Sequence, residues 1–128
     1  SAILKRVERF PFAKARFYLA EVFLALEYLH DHGIVHRDLN VSSVGLDTWG
    51  HVKLTKLNSA KQVIVGTRSL IGTPKYRAPE MLCFEAYNHS VDWWAFGALM
   101  FELSAGEAPF EHEEPLALRS KILECAFE

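Results

Sequence analysis

Two short stretches of the chain carry the side chains best suited to chemistry. Residues 35–40 read Val-His-Arg-Asp-Leu-Asn, so they set an imidazole, a guanidinium and the carboxylate of Asp38 in succession. Residues 50–58 read Gly-His-Val-Lys-Leu-Thr-Lys-Leu-Asn and bring in the ammonium of Lys56. A positioned carboxylate can accept the proton of a hydroxyl, and an ammonium attracts anions such as phosphate. These two stretches are therefore the first candidates for a functional site.

The elements that must position these stretches are short and extended. Residues 34–35 predict a brief strand that leads into the first stretch. Residues 44–46 and 52–54 flank a polar turn, which predicts a small β-hairpin. Residues 59–75 show no sustained period and contain two glycines and a proline, which predicts a long loop. Loops of this length inside compact domains are usually functional.

Longer helical patterns lie on either side of these loops. Residues 14–30 predict one helix that is apolar nearly all round, as expected of a buried central helix, and Gly33 suits a left-handed cap at its end. Residues 78–83 predict a short helix. Residues 90–104 predict a second strongly apolar helix with Ser90 as its N-cap.

Both ends of the chain also show helical spacing. Apolar residues recur at helical intervals before Pro11, which predicts a short helix over residues 1–12 that a turn ends. Residues 116–127 are amphipathic and predict a final helix. No internal repeat or low-complexity segment is present.

The composition fits one globular domain over residues 1–128. Half of the residues are apolar and the formal net charge is −2, so we expect a folded core and no nucleic-acid-binding surface. Cys83 and Cys125 form no pattern, which favours free thiols in an intracellular chain, cytoplasmic or nuclear. We expect neither a secretory signal nor an uncharged run of about 20 residues that could span a membrane. The scattered histidines lack the spacing of metal ligands.

Four motifs follow one another along the chain. They are His36-Arg37-Asp38-Leu39, the strand residues 50–55, the Gly-Thr-Pro to Ala-Pro-Glu run of 72–80, and Val91-Asp92-Trp93-Trp94. Their order and spacing resemble the large lobe of a protein kinase, and residues 15–18, Ala-Arg-Phe-Tyr, with the Asp-Trp-Trp signature resemble the AGC group of serine/threonine kinases. The resemblance implies an α+β, mainly helical fold: a C-terminal lobe with a small β-hairpin, without the N-terminal lobe and the last C-lobe helices. Residues 1–128 would then be a partial kinase domain.

The resemblance implies a role for each residue of the cleft. Asp38 matches the acceptor of the substrate hydroxyl proton, and Asn40 takes the position of a Lys that contacts the moving phosphate. Ser43 and Lys56 replace an Asn and an Asp that hold magnesium, while Gly45 replaces a large aliphatic residue under adenine. A hydroxyl is a weaker ligand than an amide oxygen, and an ammonium cannot coordinate a cation. We therefore expect no metal and no cofactor for this chain, although the family uses ATP and Mg²⁺.

Three of the cleft residues have a second interpretation. Asp38 is either the proton acceptor or a structural carboxylate that caps its loop, and we favour the cap. Lys56 is either a surrogate cation for phosphate or a solvated lysine, and we favour the solvated side chain. Thr73 would hydrogen-bond to Asp38 in an active serine/threonine kinase, but here we expect it only to shape the turn before Pro74.

The long loop carries one candidate regulatory residue. Ser69 matches the activation-loop phosphorylation site of the AGC group, with Arg37 as the partner of the phosphate. A phosphate adds nearly two negative charges and needs such an arginine. The alternative, an ordinary loop serine, is equally favoured.

Four further residues have structural roles by the same resemblance. His36 and Leu57 are expected to pack in one column between the loops. Asp92 is expected to accept backbone N–H groups of the His-Arg-Asp loop. Glu80 pairs in the family with a downstream arginine that has no counterpart in this sequence, so we expect no such pair within residues 1–128.

Two functions of different classes stay open. The residues at 40, 43, 45 and 56 favour a catalytically impaired, pseudokinase-like relative that binds or regulates proteins. By analogy, its docking surfaces would be the Pro-bounded activation segment and a helix over 111–123. The alternative is one piece of an active kinase that transfers the γ-phosphate of ATP to protein Ser or Thr, with a missing N-lobe supplied elsewhere. A truncated product without stable function is the third hypothesis.

Overall fold

The computed structural model describes residues 10–125, so most of the helix predicted over residues 1–12 lies outside the described residues. The helices are α1 Phe12–Asp31, α2 Pro79–Leu82, α3 Ser90–Ala105 and α4 Pro115–Leu123. The strands are β1 Ile34–Val35, β2 Val44–Leu46, β3 Val52–Leu54 and β4 Lys61–Gln62. Single 3₁₀ turns form at Val41–Ser43, Leu57–Ser59 and Pro74–Tyr76. This arrangement confirms the mainly helical α+β class.

The main core lies between α1 and α3. Leu26 of α1 and Leu99 of α3 are fully buried, and Leu39, from the loop after β1, is 1% exposed between them. Burial of a leucine side chain stabilises the folded chain by about 1.5–3 kcal/mol. Leu39 therefore packs the loop that carries Asp38 into the core shared by the two long helices.

Helix α1 is less buried than its composition predicts. One face packs against α3 and β3, but Phe12, Leu24 and Tyr28 are 79%, 60% and 65% exposed. The prediction of a helix buried all round is therefore wrong for the described chain. We refer to Phe12, Leu24 and Tyr28 as the exposed apolar set of α1. After its last turn, Gly33 adopts the predicted left-handed conformation, with φ of 70°.

The four strands form two separate antiparallel pairs. Strands β2 and β3 form the predicted hairpin, with Val44 opposite Leu54. Strand β4 pairs with β1, with Val35 opposite Lys61, so the prediction of a loop over residues 59–75 is wrong at this point. A pairing of two residues leaves no periodicity in the sequence, so β4 was not predicted as a strand.

Helix α3 begins and ends slightly differently from its prediction. Ser90 is the first helical residue rather than the N-cap, and the side chain of Asn88 accepts the Ser90 N–H at 3.0 Å instead. The helix continues to Ala105, where Gly106 takes a φ of 89° and donates its N–H to the Glu102 carbonyl at 2.9 Å. The asparagine two residues upstream satisfies an orphan N–H in the way a cap would.

Across residues 10–125, no helix is both long and apolar enough to span a membrane. The last described helix, α4, begins at Pro115, one residue before the predicted start, and ends at Leu123. Cys83 and Cys125 are exposed free thiols.

Candidate functional site

Asp92, in the first turn of α3, anchors the loop that carries the candidate catalytic carboxylate. It is 1% exposed. Its Oδ2 accepts the backbone N–H of His36 at 2.8 Å, its Oδ1 accepts that of Arg37 at 2.9 Å, and Nε2 of His30 lies 2.8 Å from Oδ2. A buried carboxylate is stable only when its oxygens are satisfied in this way. The position of the loop is therefore set by side chains of the two long helices.

Arg37 has a left-handed backbone, with φ of 66°. Gly72 passes close to this residue, because a Cβ built on Gly72 would lie 2.4 Å from the Arg37 carbonyl oxygen. Gly72 itself has φ of 87°. No other residue type fits both the conformation and the contact, so this glycine brings the segment carrying Thr73 against the catalytic-type loop.

His36 is a fully buried spacer between two loops. Its Nδ1 accepts the Asp38 N–H at 3.2 Å, so the proton of the neutral ring is on Nε2, which donates to the Thr55 carbonyl at 3.0 Å. This tautomer follows from the partners of the two nitrogens. The imidazole therefore ties the Asp38 loop to the end of β3.

Asp38 is held by three donors on one oxygen. Its Oδ1 accepts the Thr73 hydroxyl at 2.8 Å, the Thr73 N–H at 3.0 Å and Nδ2 of Asn40 at 3.0 Å. The expectation that Thr73 only shapes the turn is wrong, because Gly72 brings its hydroxyl within reach of the carboxylate. Among residues 10–125, Oδ2 has no such donor. The carboxylate is thus oriented by one oxygen and offers the other.

Asn40 is the centre of this polar network, a role that its sequence position did not predict. It is 6% exposed. Besides its bond to Asp38, Nδ2 donates to the Thr73 hydroxyl at 3.1 Å, and Oδ1 accepts the N–H and hydroxyl of Ser42 at 2.8 and 2.6 Å. A lysine, which has no acceptor, could not make the bonds to Ser42. Asn40 therefore acts here as a loop cap instead of a cation facing a phosphate.

The two positions tied to magnesium by the resemblance offer no accessible metal ligand. Ser43 is fully buried, and its hydroxyl both accepts the Asn40 N–H at 3.0 Å and donates to the Asn40 carbonyl at 2.9 Å. Nζ of Lys56 donates to the Ser42 hydroxyl at 2.7 Å. The expectation of a merely solvated Lys56 is therefore incomplete, since its exposed ammonium is fastened to the same network. Within residues 10–125, no cluster of His, Cys, Asp or Glu could hold a metal ion.

Gly45 and Leu57 border this part of the cleft. Gly45 lies in β2, and a Cβ there would meet Lys53 and Thr55 at an ordinary 3.6 Å, so the position has room for a Cβ atom. Leu57 is 49% exposed. About half of Leu57 is therefore covered within the described chain, and its expected packing in one column with His36 stays a prediction.

Ser69 lies in a polar cluster beside Arg37. Arg37 donates from Nε to the Ser59 carbonyl at 2.8 Å and from Nη1 to the Tyr87 hydroxyl at 3.4 Å, and that hydroxyl donates to the Ser69 carbonyl at 2.6 Å. The Thr67 hydroxyl, 3.4 Å from that of Ser69, also receives the Lys61 ammonium at 3.4 Å. Lys61 and Tyr87 were not predicted to belong to this cluster. Pairing of β4 with β1 brings in Lys61, and a bridge between Thr67 and Tyr87 brings in Tyr87.

The charges around Tyr76 also went unnoticed in the sequence. The Tyr76 hydroxyl donates to Glu102, and Nζ of Lys75 lies 3.9 Å from Glu102 and 3.7 Å from Glu111. Burial raises the pKa of Glu102, while Lys75 opposes that shift. For Glu80, the structure shows no ion pair anywhere in residues 10–125, so its anchoring role has no support from these residues.

A glutamate–histidine pair fastens the hairpin to α1. Oε2 of Glu21 accepts the Val52 N–H at 2.7 Å, and Oε1 lies 2.6 Å from Nδ1 of His51. The Val52 hydrogen bond, followed by the one to His51, lowers the pKa of Glu21, and the bond to Glu21 raises the pKa of His51. This clamp holds the strand that leads into Lys56.

Comparison with known proteins agrees with this geometry. A family model described as "Protein kinase domain" matches residues 1–127. The chain is 46% identical over 122 residues to the cAMP-dependent protein kinase type 3 of Saccharomyces cerevisiae. The matched region covers 95% of this chain and 31% of that protein. It is 45% identical over 124 residues to the cAMP-dependent protein kinase catalytic subunit of Schizosaccharomyces pombe (96% and 24%) and 43% identical over 123 residues to the protein kinase C of Drosophila melanogaster (94% and 17%). The chain thus spans less than a third of the length of these relatives, and it belongs to the protein kinase family, on its AGC-like side.

Proposed function

We propose that this chain is part of a catalytically impaired, pseudokinase-like protein that binds or regulates other proteins. The observation that carries the proposal is the bond between the Lys56 ammonium and Ser42, together with the burial of the Ser43 hydroxyl in the Asn40 cap. Neither side chain can serve Mg²⁺, which requires accessible oxygen ligands.

The consequence for catalysis follows from the charge on a triphosphate. Phosphoryl transfer consists mainly of positioning and of neutralising that charge, and the metal ions do most of the neutralising. Loss of one such electrostatic contact is expected to weaken transition-state stabilisation by about 3–4 kcal/mol. Two missing ligands, at positions 43 and 56, would leave little transfer activity.

Hydrogen bonds within the protein support the shape of the loop. His36, Asp38 and Asp92 take their hydrogen bonds from protein atoms. This supports a folded module that has kept the architecture of a kinase lobe while its chemistry has changed. Proteins are the proposed partners, with the segment around Ile64 and Val65, which are 89% and 85% exposed, as one contact surface. We place the module inside the cell, where exposed free thiols persist.

A phosphate-transfer assay tests this proposal. The chain is incubated with radiolabelled ATP, Mg²⁺ and generic protein substrates, beside an Asp38→Ala variant. We expect no transfer above background from either chain. Transfer by the unaltered chain that disappears in Asp38→Ala would overturn the proposal, because it would require a working proton acceptor.

One observation favours the alternative, an active serine/threonine kinase of which this chain is a piece. The Thr73 hydroxyl lies 2.8 Å from Asp38 Oδ1, and Oδ2 is left for an incoming hydroxyl. Thermal denaturation with ATP, with and without Mg²⁺, separates the two functions. A melting temperature that rises only when the metal is present favours the enzyme, whereas no response to the metal favours the binding module.

A further inference from the structure

A cavity of about 220 Å³ lies between the segment after Thr73 and helix α4. Its floor is apolar, with Leu118 8% exposed and Ile122 fully buried. Arg77 and Arg119 are among the residues that line it. An apolar floor with a few charged groups above it is the usual composition of a binding pocket.

Arg77 is a cation without a counter-ion. It donates from Nε to the Ile71 carbonyl at 3.2 Å and from Nη2 to the Gly72 carbonyl at 3.0 Å. Both acceptors are neutral, and none of the carboxylates in residues 10–125 comes within ion-pair distance of it. Burial lowers the pKa of Arg77, against a weaker opposing effect of Asp38. A partly desolvated charge of this kind gains stability from an anionic partner.

The other charged groups at this cavity are mostly donors. Arg119 has one long bond, from Nη2 to the Leu82 carbonyl at 3.4 Å, and its side chain is otherwise at the surface. His112 accepts the Glu114 N–H on Nδ1 at 3.0 Å, so Nε2 carries the proton of its neutral ring. Glu113 is the single carboxylate of the lining and lies on the exposed rim. The net charge of the residues that line the cavity is therefore positive.

The cavity adjoins the candidate catalytic carboxylate. Arg77 lines both this cavity and the narrow cleft that contains Asp38 and Thr73. Pro74, which follows Thr73 directly, lies on the rim of the cavity. An extended protein segment lying over Asp38 can therefore place a neighbouring side chain in this cavity, beside Arg77.

We propose that this Arg77–Arg119 pocket binds the carboxylate of a glutamate or aspartate in an extended segment of a partner protein. The forked guanidinium matches a carboxylate with two parallel hydrogen bonds, and the apolar floor accepts the methylene groups or a neighbouring apolar residue. A phosphorylated side chain shares this anionic chemistry, and the experiment separates the two sources. The inference rests on the proposed role in protein binding.

Fluorescence polarisation with short labelled peptides tests the pocket directly. Four peptides of one otherwise constant sequence carry Glu, Gln, Lys or phosphoserine at the same central position. The full chain is titrated beside Arg119→Gln and Arg77→Leu, with Arg68→Gln, an exposed arginine outside the cavity, as the matched control. Each variant is first checked for a cooperative thermal transition, and Arg119→Gln alone decides the test if Arg77→Leu does not fold.

We expect the Glu peptide to bind about tenfold more tightly than the Gln and Lys peptides, because a charge-assisted bidentate contact contributes that much. Arg119→Gln and Arg77→Leu should each remove this preference, and Arg68→Gln should keep it. Equal binding of Glu and Gln peptides, or a preference that survives Arg119→Gln, would overturn the pocket. Stronger binding of phosphoserine than of Glu would replace the carboxylate with a phosphate as the ligand. This experiment does not measure phosphate transfer. A negative result would therefore overturn the pocket without deciding the proposed function, which the phosphate-transfer assay tests.

Discussion

The Oδ1 atom of Asp92 lies 2.9 Å from the backbone nitrogen of Arg37, 55 residues earlier in the chain. This bond stabilises a left-handed backbone at a residue that is not glycine. A conformation of this kind costs of order 1–3 kcal/mol and persists only where its surroundings hold it. Helix α3, through Asp92, therefore helps to set the conformation of the loop that carries Asp38.

Asp92→Asn should destabilise the folded chain by about 2–4 kcal/mol, since it removes a buried charge and sets an NH₂ group against a backbone N–H. Urea denaturation measures the free energy of unfolding. Asp31→Asn, at the exposed end of α1, is the control and should change it by less than about 0.5 kcal/mol. Equal effects of the two substitutions would contradict the anchoring role of Asp92.

Gly72→Ala and Gly50→Ala form a matched pair. Both glycines have positive φ, 87° and 84°, but an added Cβ meets the Arg37 carbonyl oxygen at 2.4 Å in the first and nothing within 4 Å in the second. The backbone penalty of about 1 kcal/mol is common to both. Any larger loss in Gly72→Ala therefore reports the close approach, and we expect it to exceed the loss in Gly50→Ala by about 1–3 kcal/mol. Identical urea midpoints would show that the two segments do not touch.

Asn40→Ala should loosen both the Ser42 turn and the Thr73 segment, since it deletes all the side-chain bonds of the network centre. We expect a loss of about 1–3 kcal/mol in unfolding free energy. Amide hydrogen exchange should speed up at Ser42 and Thr73, whose N–H groups bond to this network. Asn58→Ala, at an exposed position nearby, serves as the control. Faster exchange at Ser42 alone would mean that Asn40 does not stabilise Thr73.

The clamp between Glu21 and His51 should make stability depend on pH. The pKa of His51 is raised above its ordinary 6.5, so its contribution is complete below pH 6.5 and disappears as the pH rises through the higher value in the folded chain. The pKa of Glu21 is lowered from 4.5, so its contribution is complete above pH 4.5 and disappears as the pH falls through the lower value. The clamp is therefore strongest between these two limits.

Urea midpoints measured from pH 4 to pH 9 check this prediction against a His51→Gln variant. The stability difference between the two chains should be largest at about pH 5–6 and shrink on the alkaline side. Parallel curves over the whole range would show that His51 is not held by Glu21.

Sequence patterns predicted the long elements well. Helices α1 and α3 each carry enough apolar residues at helical spacing to be recognised, and the hairpin of β2 and β3 shows its polar turn. The strand over residues 61–62 was missed because its partner, over residues 34–35, lies far back in the chain. Pairings of this length are decided by tertiary contacts.

The candidate site was predicted as a set of positions but not as a set of contacts. Substitutions at positions 43 and 56 were visible in the sequence, but the burial of Ser43 and the bond from Lys56 to Ser42 depend on how the loop folds. Asn40 was interpreted as a lost lysine, although its amide connects Ser42 with Thr73. A side chain that both donates and accepts can bridge several partners, and sequence alone does not reveal which ones.

The exposed apolar set of α1 has a practical consequence for every measurement above. Large uncovered aromatic and aliphatic side chains bind hydrophobic dyes and promote self-association. The native chain should therefore fluoresce with anilinonaphthalene sulfonate before any denaturant is added, a signal often taken as a sign of a molten state. Measurements in dilute solution, together with light scattering, will be needed to distinguish a well-packed chain that self-associates from a molten one.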